Sequence, residues 1–246
     1  MYKRQDQYGV PEFLNKRDAF LFKMYQAFGH HFDFIAIPII KKRLRMDTSQ
    51  VIINEERPQL TKHLATRFKE KIGQNVNLLG EVVLGNGEAD HRYHHYLEAL
   101  ESPDINYISV KISGIYAQTH ALNYEESFPE LVSRMSALYQ KAIDFPYTDE
   151  DGIKRSKFIN LDMEEYKDAH FTLRLFKAVL NLPQFKNYSA GIVVQAYLPD
   201  AYDFQTELLE FAKARVDGGG APIKMRLVKG CNLEMETVIS LSLIHI

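Results

Sequence analysis

Cysteine occurs once, at Cys231. No internal disulfide framework is therefore possible, which fits a reducing cytosol. An excess of charge of one sign is also missing: 30 Lys and Arg stand against 32 Asp and Glu, a formal net charge of -2. Such a balance gives no electrostatic reason to expect nucleic acid as a partner. Long hydrophobic runs are lacking too. The most apolar short stretch, Phe32 to Ile40, contains Asp33 and Pro38 and falls far below the ~20 residues of a membrane span. The start shows no apolar core followed by a small-residue cleavage site, so no secretory signal is read there. What is present, 46% hydrophobic and 25% charged residues over 246 positions, suits a soluble globular chain with one large domain or two small ones.

The two ends share an origin. The start, Met1-Tyr2-Lys3-Arg4-Gln5, back-translates as GTG TAT AAG AGA CAG, with GTG as initiator. The reverse complement, CTG TCT CTT ATA CAC, encodes Leu-Ser-Leu-Ile-His, which is the run Leu241 to His245. One DNA tag read on opposite strands accounts for both ends, and it resembles a transposase end sequence used in library preparation. Residues 1–5 and 241–246 are therefore set aside as adapter-like scars. The natural gene is expected to continue past residue 240.

Residues 6–70 read as a helical arm. Leu14, Phe20, Phe22, Met24, Tyr25 and Phe28 recur on a helical period that ends near Gly29, and Arg57 to Glu70 reads as another helix. The basic cluster Lys41-Lys42-Arg43-Leu44-Arg45 has the chemistry to touch an anionic membrane surface. A solvated helix end favoured by the helix dipole is the simpler reading.

From about residue 71 the pattern changes. Short apolar runs appear at Val76 to Leu79, Tyr107 to Ile112, Phe158 to Leu161, Ile192 to Val194 and Ile223 to Val228. Between them lie amphipathic stretches at Glu88 to Glu101, Tyr124 to Ile143, Glu164 to Asn181 and Asp200 to Arg215, and Glu234 to Ser240 opens another. Strand, helix, strand, helix is parallel βα architecture. A pitch of ~30–45 residues matches an eight-unit barrel of ~250 residues. The expected fold is α/β: about five units of a (βα)8 barrel over residues 71–240, behind the helical arm. Gly218-Gly219-Gly220 precedes a strand instead of following one, so it reads as a helix-ending loop and not as a phosphate cradle.

In a βα barrel the reactive side chains project from the C-terminal ends of strands. The first run ends Gly80-Glu81, the second carries Lys111, and the third ends in Asp162. The fourth ends Gln195-Ala196-Tyr197, and the fifth holds Arg226 and ends Lys229-Gly230. Lys111 and Arg226 stand out because apolar neighbours flank each of them; a long cation there must reach the barrel mouth or be paired. Two cations, two carboxylates and an amide at one mouth point to an anionic substrate or cofactor.

Five ordered segments carry a resemblance. Asn75-Val-Asn-Leu-Leu-Gly-Glu81, Ile108-Ser-Val-Lys-Ile-Ser113, Phe158-Ile-Asn-Leu-Asp162, Val193-Val-Gln-Ala-Tyr197 and Met225-Arg-Leu-Val-Lys-Gly230 resemble successive strands of the proline dehydrogenase domain of proline utilization A, a bifunctional bacterial enzyme family. The resemblance covers roughly residues 10–240. It implies FAD as cofactor, L-proline as substrate and pyrroline-5-carboxylate as product. By position, Lys111 resembles the lysine that holds the substrate carboxylate, Asp162 the active-site aspartate, and Glu81 the acid that pairs with a gating arginine. Arg226 and Gln195 resemble the flavin-ring contacts, with Lys229 and Gly230 on the loop beside it. Tyr197, Cys231 and Asn232 fall in the substrate pocket. Many family members have small-aromatic-aromatic where this chain has Cys231-Asn232-Leu233, so Asn232 replaces an aromatic pocket wall. The family's paired carboxylate-binding arginines and its aldehyde dehydrogenase domain are not found in these residues.

The resemblance further implies a membrane quinone as electron acceptor and a cytoplasmic location, with a peripheral place at the inner membrane as an option; a homo-oligomer is an open option. An isolated chain that cannot close its barrel is expected to be inactive. Two rivals stand beside this reading. One is another βα-barrel enzyme acting on an anionic substrate, such as a lyase using Lys111 as a Schiff base. The other is a non-catalytic helical module centred on residues 6–70. His91, His94 and His95 have spacing that could face a metal, but they read as a surface helix, and no metal site is expected.

Overall fold

The computed structural model describes residues 16–28, 33–48, 52–53, 57–78, 85–117, 123–230 and 232–244. The chain divides into two compact units, residues 1–62 and 63–246. In the first, α1 spans Lys16–Phe28 and α2 spans Asp33–Thr48. Both carry exposed apolar side chains, among them Phe20, Met24, Phe34, Ile39 and Leu44. The basic cluster lies within α2, with Arg45 in its last turn, where the helix dipole favours a cation. α3, Arg57–Lys69, runs across the boundary into the second unit.

The second unit alternates strands and helices. In chain order it comprises β1 (Val76–Asn77), α4 (Asn86–Glu101), β2 (Tyr107–Lys111), the single turn α5 (Ile112–Ile115), α6 (Tyr124–Asp144), β3 (Tyr147–Thr148), β4 (Lys154–Arg155) and β5 (Phe158–Asp162). It continues with α7 (Ala169–Leu180), β6 (Gly191–Gln195), α8 (Ala201–Asp217), β7 (Lys224–Val228) and α9 (Leu233–Ile244). β3 and β4 form a small antiparallel hairpin of their own. The other five strands make one parallel sheet in the order β1-β2-β5-β6-β7. The second unit is thus a partial (βα)8 barrel. Its strands follow the apolar runs of the sequence to within one residue at each end, except β1, which ends at Asn77, two residues earlier than its run.

Two departures are local. The stretch from Glu164 is helical only from Ala169, after a short 3-10 turn at Tyr166–Asp168; Glu164 and Glu165 therefore lie in a loop. The β3–β4 hairpin had no apolar alternation to announce it, since its strands are two residues each and largely exposed. α9 continues through Leu241 to Ile244. The triple glycine ends α8: the backbone N–H of Gly219, at φ 74, reaches back to the Val216 carbonyl at 2.8 Å.

The sheet has two faces, separated by the period of two along each strand. Ile108, Val110, Ile159, Leu161, Ile192 and Val194 are each at most 2% exposed. They form the outer face, against which α4, α6 and α8 pack. The helices answer with their own stripes, such as Leu131, Met135, Leu138 and Ala142 of α6, all fully buried at helical spacing. The inner face is largely polar: Ser109 and Lys111 on β2, Asn160 and Asp162 on β5, Gln195 on β6, Lys224 and Arg226 on β7. Parallel register sets Ser109 beside Asn160 and Lys111 beside Asp162, and Val193 beside Arg226. Gly191 is required among them, because a Cβ there would lie 2.7 Å from Asn160 Oδ1.

At the other end of the strands Lys157, only 2% exposed, donates to the Ser102 carbonyl at 2.5 Å. Burial pushes its pKa down from 10.5 to about 8. Between those values the unfolded chain holds more protons than the folded one, so stability should rise with pH. Tyr139 and Tyr188, whose hydroxyls burial pushes well up from 10.0, act in the opposite sense above that value, leaving a window from pH 8 to 10. Urea unfolding should show a gain of about 2 kcal/mol across it. Lys157→Met should flatten the slope; a wild-type slope already flat would refute the assignment.

Candidate functional site

The C-terminal ends of β2, β5, β6 and β7 bring one cluster together. Asp162 is its centre. Its Oδ1 accepts from Asn160 Nδ2 at 2.6 Å and from Ser109 Oγ at 3.2 Å, and lies 3.6 Å from an Arg226 guanidinium nitrogen. Asn75, just before β1, donates in turn to Ser109 Oγ at 2.9 Å. Burial pushes the Asp162 carboxyl up from its ordinary value, while Arg226, Ser109, Asn160 and Lys111 hold it down. Burial is the larger effect, so losing the cation would push the carboxyl up further.

Lys111 turns to a second acid. Its ammonium lies 3.1 Å from Glu164 Oε1, and Ser113 donates to Glu164 Oε2 at 2.5 Å. The Glu164 backbone is held as well: its carbonyl accepts from Gln195 Nε2 at 2.7 Å and from Asn232 Nδ2 at 2.8 Å. Gln195 also donates to the Met163 carbonyl at 3.3 Å. With its amide nitrogen committed, Gln195 presents Oε1 as an acceptor. Behind β2, burial pushes the Tyr96 hydroxyl up to about 12.

After β7 the chain turns sharply. Gly230 has φ 97, a conformation glycine adopts freely. A Cβ there would overlap the Tyr197 ring and lie 3.1 Å from Gln195 Oε1. Tyr197 and Gly230 thus close one side of the cluster, and Lys229 beside them is exposed. The arrangement offers two cations, each already matched by a carboxylate, an acceptor amide and several hydroxyls on one polar face.

A family model described as proline dehydrogenase matches residues 60–242. The chain belongs to the proline dehydrogenase family. Among solved structures, proline utilization A from Corynebacterium freiburgense is 37% identical with a TM-score of 0.72, over 94% of this chain and 22% of that one. Proline utilization A from Bdellovibrio bacteriovorus inactivated by N-propargylglycine is 29% identical with a TM-score of 0.71, over 83% of this chain and 22% of that one. The chain thus spans 22% of the length of these two relatives. The protein from Bradyrhizobium japonicum, at 24% identity and a TM-score of 0.55, shares the fold. Among curated proteins none matches.

Within this chain the structure gathers Lys111, Asp162, Gln195, Tyr197, Arg226, Gly230 and Asn232 at one end of the sheet. Glu81 and Cys231 lie outside the described residues. Asn232, expected as a pocket wall, sends its amide to the Glu164 carbonyl and so ties the β5 loop to the segment after β7. Glu164 is the residue that sequence reasoning missed. Only its acidity and its place two residues beyond Asp162 hinted at it. Ser109 and Asn160 were visible in the strand motifs, but nothing in the sequence marked them as donors to Asp162. The histidines stay on α4, where the rings of His91 and His95 lie 4.4 Å apart. Among the described residues no three His, Cys, Asp or Glu side chains gather as a metal set, and no helix is long and apolar enough to cross a membrane.

Proposed function

We propose that this chain is part of an FAD-dependent enzyme that oxidises L-proline to pyrroline-5-carboxylate. The observation that carries the reading is the Asp162–Arg226 and Lys111–Glu164 pair of ion pairs on the inner face, in a chain of the proline dehydrogenase family. The donor set suits a flavin: Arg226 supplies a cation for charge that develops on reduction, and the Gln195 Oε1 can accept from a ring N–H. The flavin, when bound, would take up the hydride from the ring carbon next to the proline nitrogen, while the nitrogen releases a proton to solvent as the C=N bond of the product forms. Lys111 would hold the substrate carboxylate as a point charge. Asp162 would keep Arg226 oriented, and Gly230 would let the loop pass close to Tyr197. A membrane quinone as final acceptor and an aldehyde dehydrogenase domain further along the chain belong to the same proposal. So does a cytoplasmic location, with the isolated 246 residues inactive.

The test is the visible spectrum of the complete reading frame carrying this chain, recorded anaerobically before and after L-proline. Flavin absorbance that bleaches with proline is the expected result. A flavin spectrum that proline leaves unchanged would move the substrate, with Asn232 the first residue to examine. A colourless protein would overturn the proposal and favour chemistry on Lys111 itself.

A further inference from the structure

Glu164 is held from both ends, and a solvated loop acid would not be. Its carboxylate is shared between Lys111 at 3.1 Å and Ser113 at 2.5 Å. Its carbonyl is gripped by Gln195 at 2.7 Å and Asn232 at 2.8 Å. The partners come from the end of β2, the turn after it, the end of β6 and the segment after β7, while Glu164 itself sits on the β5 loop. Three separated stretches of chain, at 111–113, 195 and 232, therefore fix the place of one residue, the first holding its carboxylate and the other two its carbonyl. The side chains of Lys111 and Glu164 are 32% and 27% exposed, so the pair lies at the mouth, open to a ligand. The other acid of the cluster, Asp162, is taken up by Arg226, Ser109 and Asn160.

From this geometry we propose that Glu164 is a positioning residue, the resident counter-ion of Lys111, which sets how tightly the site binds the carboxylate of its substrate. The inference rests on the reading of Lys111 as the carboxylate holder. An ammonium has three donors, so a ligand carboxylate can join Glu164 on Lys111 without displacing it. The ligand then binds beside a fixed negative charge, which weakens its hold. In exchange, Lys111 is already aimed before the substrate arrives. Because Ser113 and the carbonyl contacts hold Glu164 in place, the repulsion is not relieved by the glutamate swinging away.

The test uses the flavin-loaded enzyme from the complete reading frame and reads binding, not turnover. Cyclopentanecarboxylate has the ring and the acid but no amine to oxidise; pyrrolidine has the ring and no acid. Each is titrated against the flavin absorbance of wild type and of Glu164→Gln, which keeps the shape and a hydrogen bond to Ser113. The expected result is that the Kd for cyclopentanecarboxylate falls about fivefold while that for pyrrolidine, which binds as a cation, does not fall. Glu164→Asp keeps the charge but withdraws it by one methylene. It should shift the acid in the same direction by less, and it serves if the amide variant loses its flavin. A carboxylate Kd that is unchanged or raised, an equal shift for both ligands, or no carboxylate binding by wild type would overturn the inference. Failure of the functional reading itself looks different: the wild-type enzyme would lack flavin, or proline would not bleach it.

Discussion

Replacing Arg226 with methionine is expected to lower kcat/KM for proline by about 10²–10³ in the complete enzyme. Two losses combine. The site loses the cation that would meet charge developing on the reduced flavin. Asp162 also loses the Arg226 guanidinium that lies 3.6 Å away and helps to hold its carboxyl down against burial, so its protonation shifts to higher pH. Arg226→Lys should recover part of the rate, because it restores charge but not the planar fork. Steady-state rates with an artificial dye acceptor measure both variants. A methionine variant within threefold of wild type would remove Arg226 from the machinery.

The largest effect on stability is expected at Arg215. Its guanidinium donates to the carbonyls of Leu180 and Phe185 at 2.5 Å, Lys186 and Ala221 at 2.8 Å, and Tyr188 at 3.0 Å. These carbonyls belong to the turn between α7 and β6 and to the one between α8 and β7, so a single side chain ties two connections at the N-terminal ends of the strands. Gly220 makes room for it: a Cβ there would stand 3.0 Å from Arg215 Cγ. Arg215→Met keeps most of the stem and strands those acceptors, several of them partly buried. The expected cost is about 3–5 kcal/mol, seen as a lower urea midpoint for the 246-residue chain. Arg215→Lys should be nearly as damaging, since one ammonium cannot reach five carbonyls in a plane. A loss under 1 kcal/mol would mean that water replaces the guanidinium.

The strand ends were legible because βα chemistry is local in sequence: the polar residue that closes an apolar run also stands at the barrel mouth. Lys111, Asp162 and Arg226 could be named for that reason, as could Gly230. Their partnerships were not legible. Glu164 meets Lys111, Ser113 and Asn232 across 53, 51 and 68 residues of chain, and nothing in a period of two or of 3.6 marks a loop position. The same limit hid Arg215, which looked like the last polar residue of an amphipathic helix. Its role follows from where two turns come to rest. Asn232 shows the converse: the sequence flagged a departure from the family pattern, and only the fold shows that its amide has a partner in the β5 loop.

Parity within a strand separates what this chain can tolerate from what it cannot. On β5 the even-numbered positions Asn160 and Asp162 face the inner cluster, while Ile159 and Leu161 are fully buried on the other side. A single-residue insertion before Ile159 would exchange the two sets, presenting isoleucine and leucine to the inner face and an aspartate to the outer one. No point substitution elsewhere could restore the arrangement. The same insertion in the exposed tip of the β3–β4 hairpin, near Gly152, would leave every pairing of the parallel sheet intact. Lineages of this domain should therefore drift in the lengths of their connections while the spacing inside β2, β5, β6 and β7 stays frozen, a constraint that chemistry and packing impose jointly.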